Sequence, residues 1–108
     1  MKTSTITGLY KLPGKPAEWR TVKNSLSSLQ RLVGGYIETF TIFSDCVFIC
    51  NEEGRLRGME PNFRFCGQTF VGPVFICGTF AGDFVGLHLS GEAEARLMKE
   101  IKNGEVSK

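Results

Sequence analysis

The sequence predicts an α+β domain: a mostly antiparallel sheet of about five strands with two helices packed on one face. Three observations carry this expectation. Short runs rich in Ile, Val, Thr and Phe are bounded by Gly, Pro, Asn and Asp, the punctuation of strands and tight turns. Two segments space their apolar residues at helical intervals. Nine phenylalanines and thirteen glycines favour strands and turns over a helical bundle. At 108 residues the chain is long enough for one domain over residues 1–108 with a core of its own. That core is placed at about residues 3–102, ahead of a flexible C-terminal tail.

Residues 5–12 alternate and contain β-formers, so they open the sheet. Pro13-Gly14-Lys15-Pro16 is a turn signal, and residues 18–22 return as a second strand of a hairpin. Asn24 is placed to cap a helix whose apolar positions are Leu26, Leu29, Leu32 and Val33, and Gly34-Gly35 ends it. Residues 36–43 form the next strand, with Ile37, Thr39, Thr41 and Phe43 on one face and Tyr36, Glu38, Phe40 and Ile42 on the other. Ser44-Asp45 turns the chain. Cys46-Val47-Phe48-Ile49-Cys50 is apolar throughout, the pattern of a central strand covered on both faces. Asn51-Glu52-Glu53-Gly54 reads as a turn tetrad, after which residues 55–58 pair back as a short strand. Residues 59–67 are the least regular. Residues 68–71 lead through Gly72-Pro73 into residues 74–78, another buried strand, and residues 79–86 read as a glycine-punctuated loop. Ser90 caps a closing helix with the stripe Ala93, Leu97, Met98 and Ile101. Lys99 and Lys102 suit its C-terminal dipole, and residues 103–108 are expected to fray.

Several function classes are disfavoured. A formal charge of +2 is too small to argue for nucleic acid on electrostatic grounds. No apolar run reaches membrane-spanning length, and Met1-Lys2-Thr3-Ser4 lacks the apolar stretch of a signal peptide, so a cytoplasmic location is expected. The four cysteines, Cys46, Cys50, Cys66 and Cys77, are spaced C-x3-C-x15-C-x10-C, which matches no usual zinc knuckle. They are expected to be reduced, buried thiols. No cofactor and no metal are expected. His88 is the only histidine, and nothing in its spacing sets it beside a thiol as a nucleophilic pair.

The remaining polar groups invite competing readings. Glu52-Glu53 has the composition of an acid/base pair or a magnesium site, but Asn at the first position and Gly at the fourth is equally the signature of a solvated turn. Tyr36 and Glu38 share a strand face, an apt pair for stacking on a base and accepting its amino hydrogens, or an ordinary sheet surface. Arg55, Arg57 and Arg64 form a local cluster able to grip phosphate, or a charged edge that discourages aggregation. Phe63, Phe65, Phe70, Phe80 and Phe84 lie in predicted loops or at element edges. They suit an interface or a planar-ligand pocket, against the alternative of a core simply rich in Phe.

The ordered set Leu29-Gln30-x-x-Val33-Gly34-Gly35-Tyr36-Ile37-Glu38, Cys50-Asn51-Glu52-Glu53-Gly54, Pro61-Asn62 and Gly72 resembles a small domain-of-unknown-function family. That family occurs in bacteriophages, plasmids and conjugative elements. The resemblance spans the middle half of the chain, and Phe63-Arg64-Phe65 and the loop over residues 80–86 depart from it. It implies a setting in a bacterial host cell, where small accessory proteins counter host immunity, some by sequestering nucleotide second messengers and others by blocking a host protein. It implies no catalytic residues.

Together these readings lead to a non-enzymatic binding protein, a homo-oligomer that sequesters a nucleotide-like small molecule. Its expected ligand contacts are Tyr36, Glu38, Asn51, Arg55, Arg57, Asn62 and Arg64, and its expected interface is Phe63, Phe65, Phe80 and Phe84. The alternative is a module that inhibits a host defence protein through a Phe-rich surface. A metal-assisted enzyme using Glu52 or Glu53 stands third.

Overall fold

The computed structural model describes residues 4–43 and 45–106, with nothing assigned to the Phe43 side chain. Ser44 in the expected turn, and residues 1–3 and 107–108, lie outside the described residues. The chain runs β1 (Thr5–Lys11), β2 (Glu18–Lys23), α1 (Leu26–Val33), β3 (Ile37–Phe43), β4 (Cys46–Asn51), β5 (Pro61–Phe65), β6 (Gln68–Val71), β7 (Val74–Phe80), β8 (Asp83–Val85) and α2 (Gly91–Asn103). The main sheet has the order β2-β1-β7-β4-β3, with β8 also paired to β7, and every pairing is antiparallel. β5 and β6 form a separate two-stranded hairpin. The α+β class and the antiparallel sheet are as expected.

The helices do not share a face. β4 and β7 alternate between two cores: Phe48, Cys50, Val74 and Ile76 belong to one, and Val47, Ile49, Phe75 and Cys77 to the other. α1 covers the second with Leu29 and Val33, while α2 joins the first with Leu97 and Ile101. Opposite placement follows from the strands themselves. Both faces of β4 are apolar, so each needs its own cover.

α1 is capped by Ser25, whose hydroxyl accepts from the Ser28 N–H, and not by Asn24. Asn24 is drawn away: its Nδ2 donates to the Phe84 carbonyl at 3.1 Å. Gly34 ends the helix with φ 79°, in the left-handed region that a glycine reaches without a Cβ clash. Ser90 caps α2 as expected.

Four other segments correct the expectation. Residues 55–58 do not pair back as a strand. They continue a run of turns, with Arg57 N–H bonded to Glu53 O and Met59 N–H to Gly54 O. The segment read as least regular contains β5, entered at Pro61, where a missing N–H costs no ladder bond. The expected loop over residues 79–86 is the end of β7 plus β8, a tight hairpin. The start of the expected frayed tail is anchored, because Arg64 N–H donates to Gly104 O at 2.7 Å and Val106 N–H to Asn62 O at 3.2 Å.

The β5–β6 hairpin explains the surplus of phenylalanine. Phe48 on the sheet meets Phe63, Phe65 and Phe70 edge-on, at ring-centroid distances of 5.7, 5.1 and 5.2 Å. Phe40 meets Phe70 in the same way at 5.2 Å. Such edge-to-face pairs stabilise beyond simple area burial. Phe63 and Phe65 are therefore core residues, not the exposed interface expected of them.

Candidate functional site

One cleft gathers residues from the β3 motif, the Asn51-Glu52-Glu53-Gly54 turn and the arginine that follows it. It has a volume of about 260 Å³ and opens between the end of β3–β4, the turns that follow Asn51, and β6. Glu38, Glu52 and Arg55 supply charges of both signs, Gln68 and Thr69 supply polar groups, and Phe40 and Phe70 supply aromatic surface. The Cys50 thiol reports the local field. Burial pushes it up to about 11, the Glu38 carboxylate adds to the rise, and the Arg55 guanidinium opposes it.

Local geometry sets these groups. Asn51 is buried and spends both ends of its amide inside the protein: Nδ2 donates to the Val33 carbonyl at 3.1 Å, and Oδ1 accepts from Glu53 N–H at 2.8 Å. The second bond is an Asx turn, which closes the chain just after β4. Gly35 permits it, since a Cβ there would lie 2.8 Å from Asn51 Nδ2. Arg57 donates to the Gly34 carbonyl at 2.8 Å, tying the same turns to the end of α1. Arg55 donates one N–H to the Thr69 carbonyl at 2.8 Å, bridging the turns to β6. A guanidinium has five N–H donors, so this bond leaves Arg55 donors for another partner.

The expected ligand residues are thus divided. Glu38, Asn51 and Arg55 line the cleft. Tyr36, 66% exposed, stands just before β3 and is not part of the lining. Arg57 is at the neighbouring α1 end. Asn62 is far from the cleft in role: it is buried, donating to Lys11 O and Gly72 O at 2.8 Å each and accepting from Lys11 Nζ at 3.0 Å. Arg64 lies in a different groove, with Cys66, Glu100 and Gly104. Of the expected interface residues, Phe80 is 76% exposed at the β7–β8 turn and Phe84 is half-buried.

Gln68, Thr69 and Phe40 are cleft residues that no sequence signal marks, and Phe70 is marked only as one of five phenylalanines suited to an interface or a planar-ligand pocket. Residues 68–71 carry a strand signal only, and no spacing says that β6 folds back over β4. Among the described residues, no group of three or more His, Cys, Asp or Glu is placed to hold a metal ion. Nor is any helix among them long and apolar enough to cross a membrane.

The sequence profile of a family described as a domain of unknown function (DUF3846) matches residues 6–101. The chain belongs to that family. No curated protein and no solved structure matches it. In this DUF3846 chain the matched span runs from the first buried residue of β1 to the last buried residue of α2, so it includes both cores and the whole cleft.

Proposed function

We propose that this protein is a non-enzymatic binder of a nucleotide-like small molecule, held in the cleft between β3, the turns after Asn51, and β6. The observation that supports this reading is the convergence there of two carboxylates, a guanidinium, an amide and two aromatic rings. Carboxylates at Glu38 and Glu52 suit the amino hydrogens of a base, the half-buried Phe40 offers apolar surface for a planar ring with Phe70 packed behind it, and Arg55 suits a phosphate oxygen. In biological terms the reading is of an accessory protein of a phage or other mobile element, withholding a nucleotide messenger of host immunity.

The test is a thermal-unfolding screen of the full chain against mononucleotides, cyclic dinucleotides and ADP-ribose derivatives. A ligand at a hundred times its Kd stabilises by about 2.7 kcal/mol, which raises Tm by about 10 °C or more. The ligand is expected to be recovered intact after heating, and Glu38→Gln and Arg55→Ala are expected to reduce the shift. An unchanged Tm across the panel removes the proposal, and conversion of the ligand in place of its recovery points to an enzyme.

The alternative, a module that blocks a host protein through a Phe-rich surface, loses most of that surface to the core. Only Phe80 and part of Phe84 remain accessible among its proposed rings. A stoichiometric host partner in a pull-down that Phe80→Ser abolishes is the outcome that favours it.

A further inference from the structure

Among the described residues β3 is an outer strand of the main sheet, with β4 as its one sheet partner. Glu52 N–H donates to Tyr36 O at 2.8 Å, in register with the pairs Glu38↔Cys50 and Phe40↔Phe48. Backbone groups in an antiparallel ladder alternate in direction. Tyr36, Glu38 and Phe40 therefore turn their N–H and C=O groups towards β4, while Ile37, Thr39 and Thr41 turn theirs away from it.

Bare edges of this kind are usually blunted by Lys, Pro or clustered charge. The opposite edge, β2, follows that rule with Glu18, Arg20 and Lys23. β3 does not. Its sequence Ile37-Glu38-Thr39-Phe40-Thr41-Ile42-Phe43 has no Pro, Gly, Lys or Arg and a single charge. Thr39 and Thr41 are exposed, and Phe40 and Ile42 are only half-buried.

We infer that β3 pairs antiparallel with β3 of a second copy of this chain, joining two sheets into one across a two-fold axis at Thr39. The charge layout selects this occupant and register. Centring on Thr39 places Ile37 opposite Thr41 of the second copy and Thr39 opposite its own equivalent. All three outward residues are then paired, and on that face every cross-strand contact is between β-branched side chains, which suits a sheet. On the other face Glu38 meets Phe40 of the second copy. Centring on Glu38 would set two carboxylates against each other. Centring on Phe40 would bring Ile37 against Phe43, across the register shift between Thr41 and Phe43. A parallel arrangement of two such edges needs an odd register offset, because both copies present the same alternate residues, and an odd offset does not close on a two-fold axis. Each copy thus carries a nearly palindromic β-branched stripe that complements itself. The pairing stands whether or not the cleft takes a ligand.

Native mass spectrometry of the full chain through a dilution series, with amide hydrogen exchange, tests it. The expected result is a two-chain mass, with the outward amides of Ile37, Thr39 and Thr41 protected. Thr39→Pro removes an N–H that the single chain does not use, and Thr39→Lys puts a charge on the axis. Both are expected to give the one-chain mass, to lose the exchange protection, and to unfold with a Tm that no longer depends on protein concentration, near that of the unaltered chain at high dilution. If Thr39→Pro fails to fold by circular dichroism, Thr39→Lys decides. A one-chain mass for the unaltered protein at every concentration, or a two-chain mass that survives the Thr39 substitutions, overturns the inference.

Discussion

Asn62→Ala is expected to be among the most damaging single polar substitutions in this protein, although Asn62 touches no ligand in the proposed site. Asn62 is 1% exposed and holds three partners at once: Lys11 O, Gly72 O and the Lys11 ammonium. Lys11 is itself fully buried, and it also donates to Leu12 O at 3.0 Å and meets Glu105 at 3.7 Å. Two neutral hydrogen bonds contribute about 1 kcal/mol each, and one to a buried charge about 1.5–3 kcal/mol. Truncation leaves their partners without Asn62 and without water. The expected loss is therefore about 3–5 kcal/mol, roughly a fifth or more of the stability of an ordinary domain. Tm should fall by about 12 °C or more. Lys11→Met should cost less, because it removes the buried charge along with its contacts. Urea unfolding of the two single variants and the double variant forms a cycle, and a coupling of about 1.5 kcal/mol or more is expected. An Asn62→Ala protein within about 1 kcal/mol of the unaltered one, or strictly additive variants, would refute the reasoning.

Two further predictions concern the thiols. Burial pushes Cys46 and Cys50 up to about 11 and Cys77 to about 12, from an ordinary value of 9.0. Between pH 9 and these values the unfolded chain has lost thiol protons that the folded chain keeps. Stability therefore falls as pH rises through that window, by on the order of 3–4 kcal/mol for each thiol. Lys11 acts in the opposite sense, since burial lowers its value, with Glu105 partly offsetting, so the folded chain sheds this proton first and stability rises towards 10.5. The alkaline loss in urea midpoint should consequently be steeper in Lys11→Met. A midpoint that holds constant above pH 9 in both proteins would contradict both assignments. With a thiol-specific reagent at neutral pH, Cys66 should react at once, and Cys46, Cys50 and Cys77 only at the rate of opening. Rapid modification of more than one thiol in the folded protein would contradict their burial.

Much of the sheet was legible because its signals are local. β4 and β7 announce themselves as continuous apolar runs, and Gly34 and Ser90 mark a helix end and a helix start by their own chemistry. Layering was not local, yet the clue was present. If every residue of β4 is buried, both of its faces need cover, and two helices on one face leave the other bare. The missing cover was the segment read as irregular. Phe63-Arg64-Phe65 alternates buried, exposed, buried as a strand should, but Pro61 at one end and Cys66-Gly67 at the other masked it. Both turn residues have positive φ, 50° and 77°, the tight connection that lets β6 follow at once. Asn24 has the right chemistry for the cap expected of it, but its long-range bond to Phe84 engages its side chain elsewhere, and Ser25 takes the position.

The site was harder to read because a polar residue in a sequence does not disclose whether its partners lie inside the fold. Asn51 and Asn62 look like ligand contacts, and both amides are spent within the protein. Their internal use is what gives the cleft its shape. Asn51 fastens the turns after β4 to the last carbonyl of α1, Arg57 fastens them to Gly34, and Gly35 leaves the room that Asn51 needs. With that joint fixed on one side, Arg55 reaches across to β6 on the other and closes the cleft wall. The Gly-Gly and Asn-Glu-Glu-Gly motifs are therefore two halves of one mechanical joint. Glu38, Glu52 and the remaining donors of Arg55 are the groups that this joint leaves facing the cleft, and under the proposed function they meet the ligand. Loosening it by Asn51→Ala should then weaken ligand binding through Glu52 and Arg55, although both ends of the Asn51 amide are engaged inside the protein.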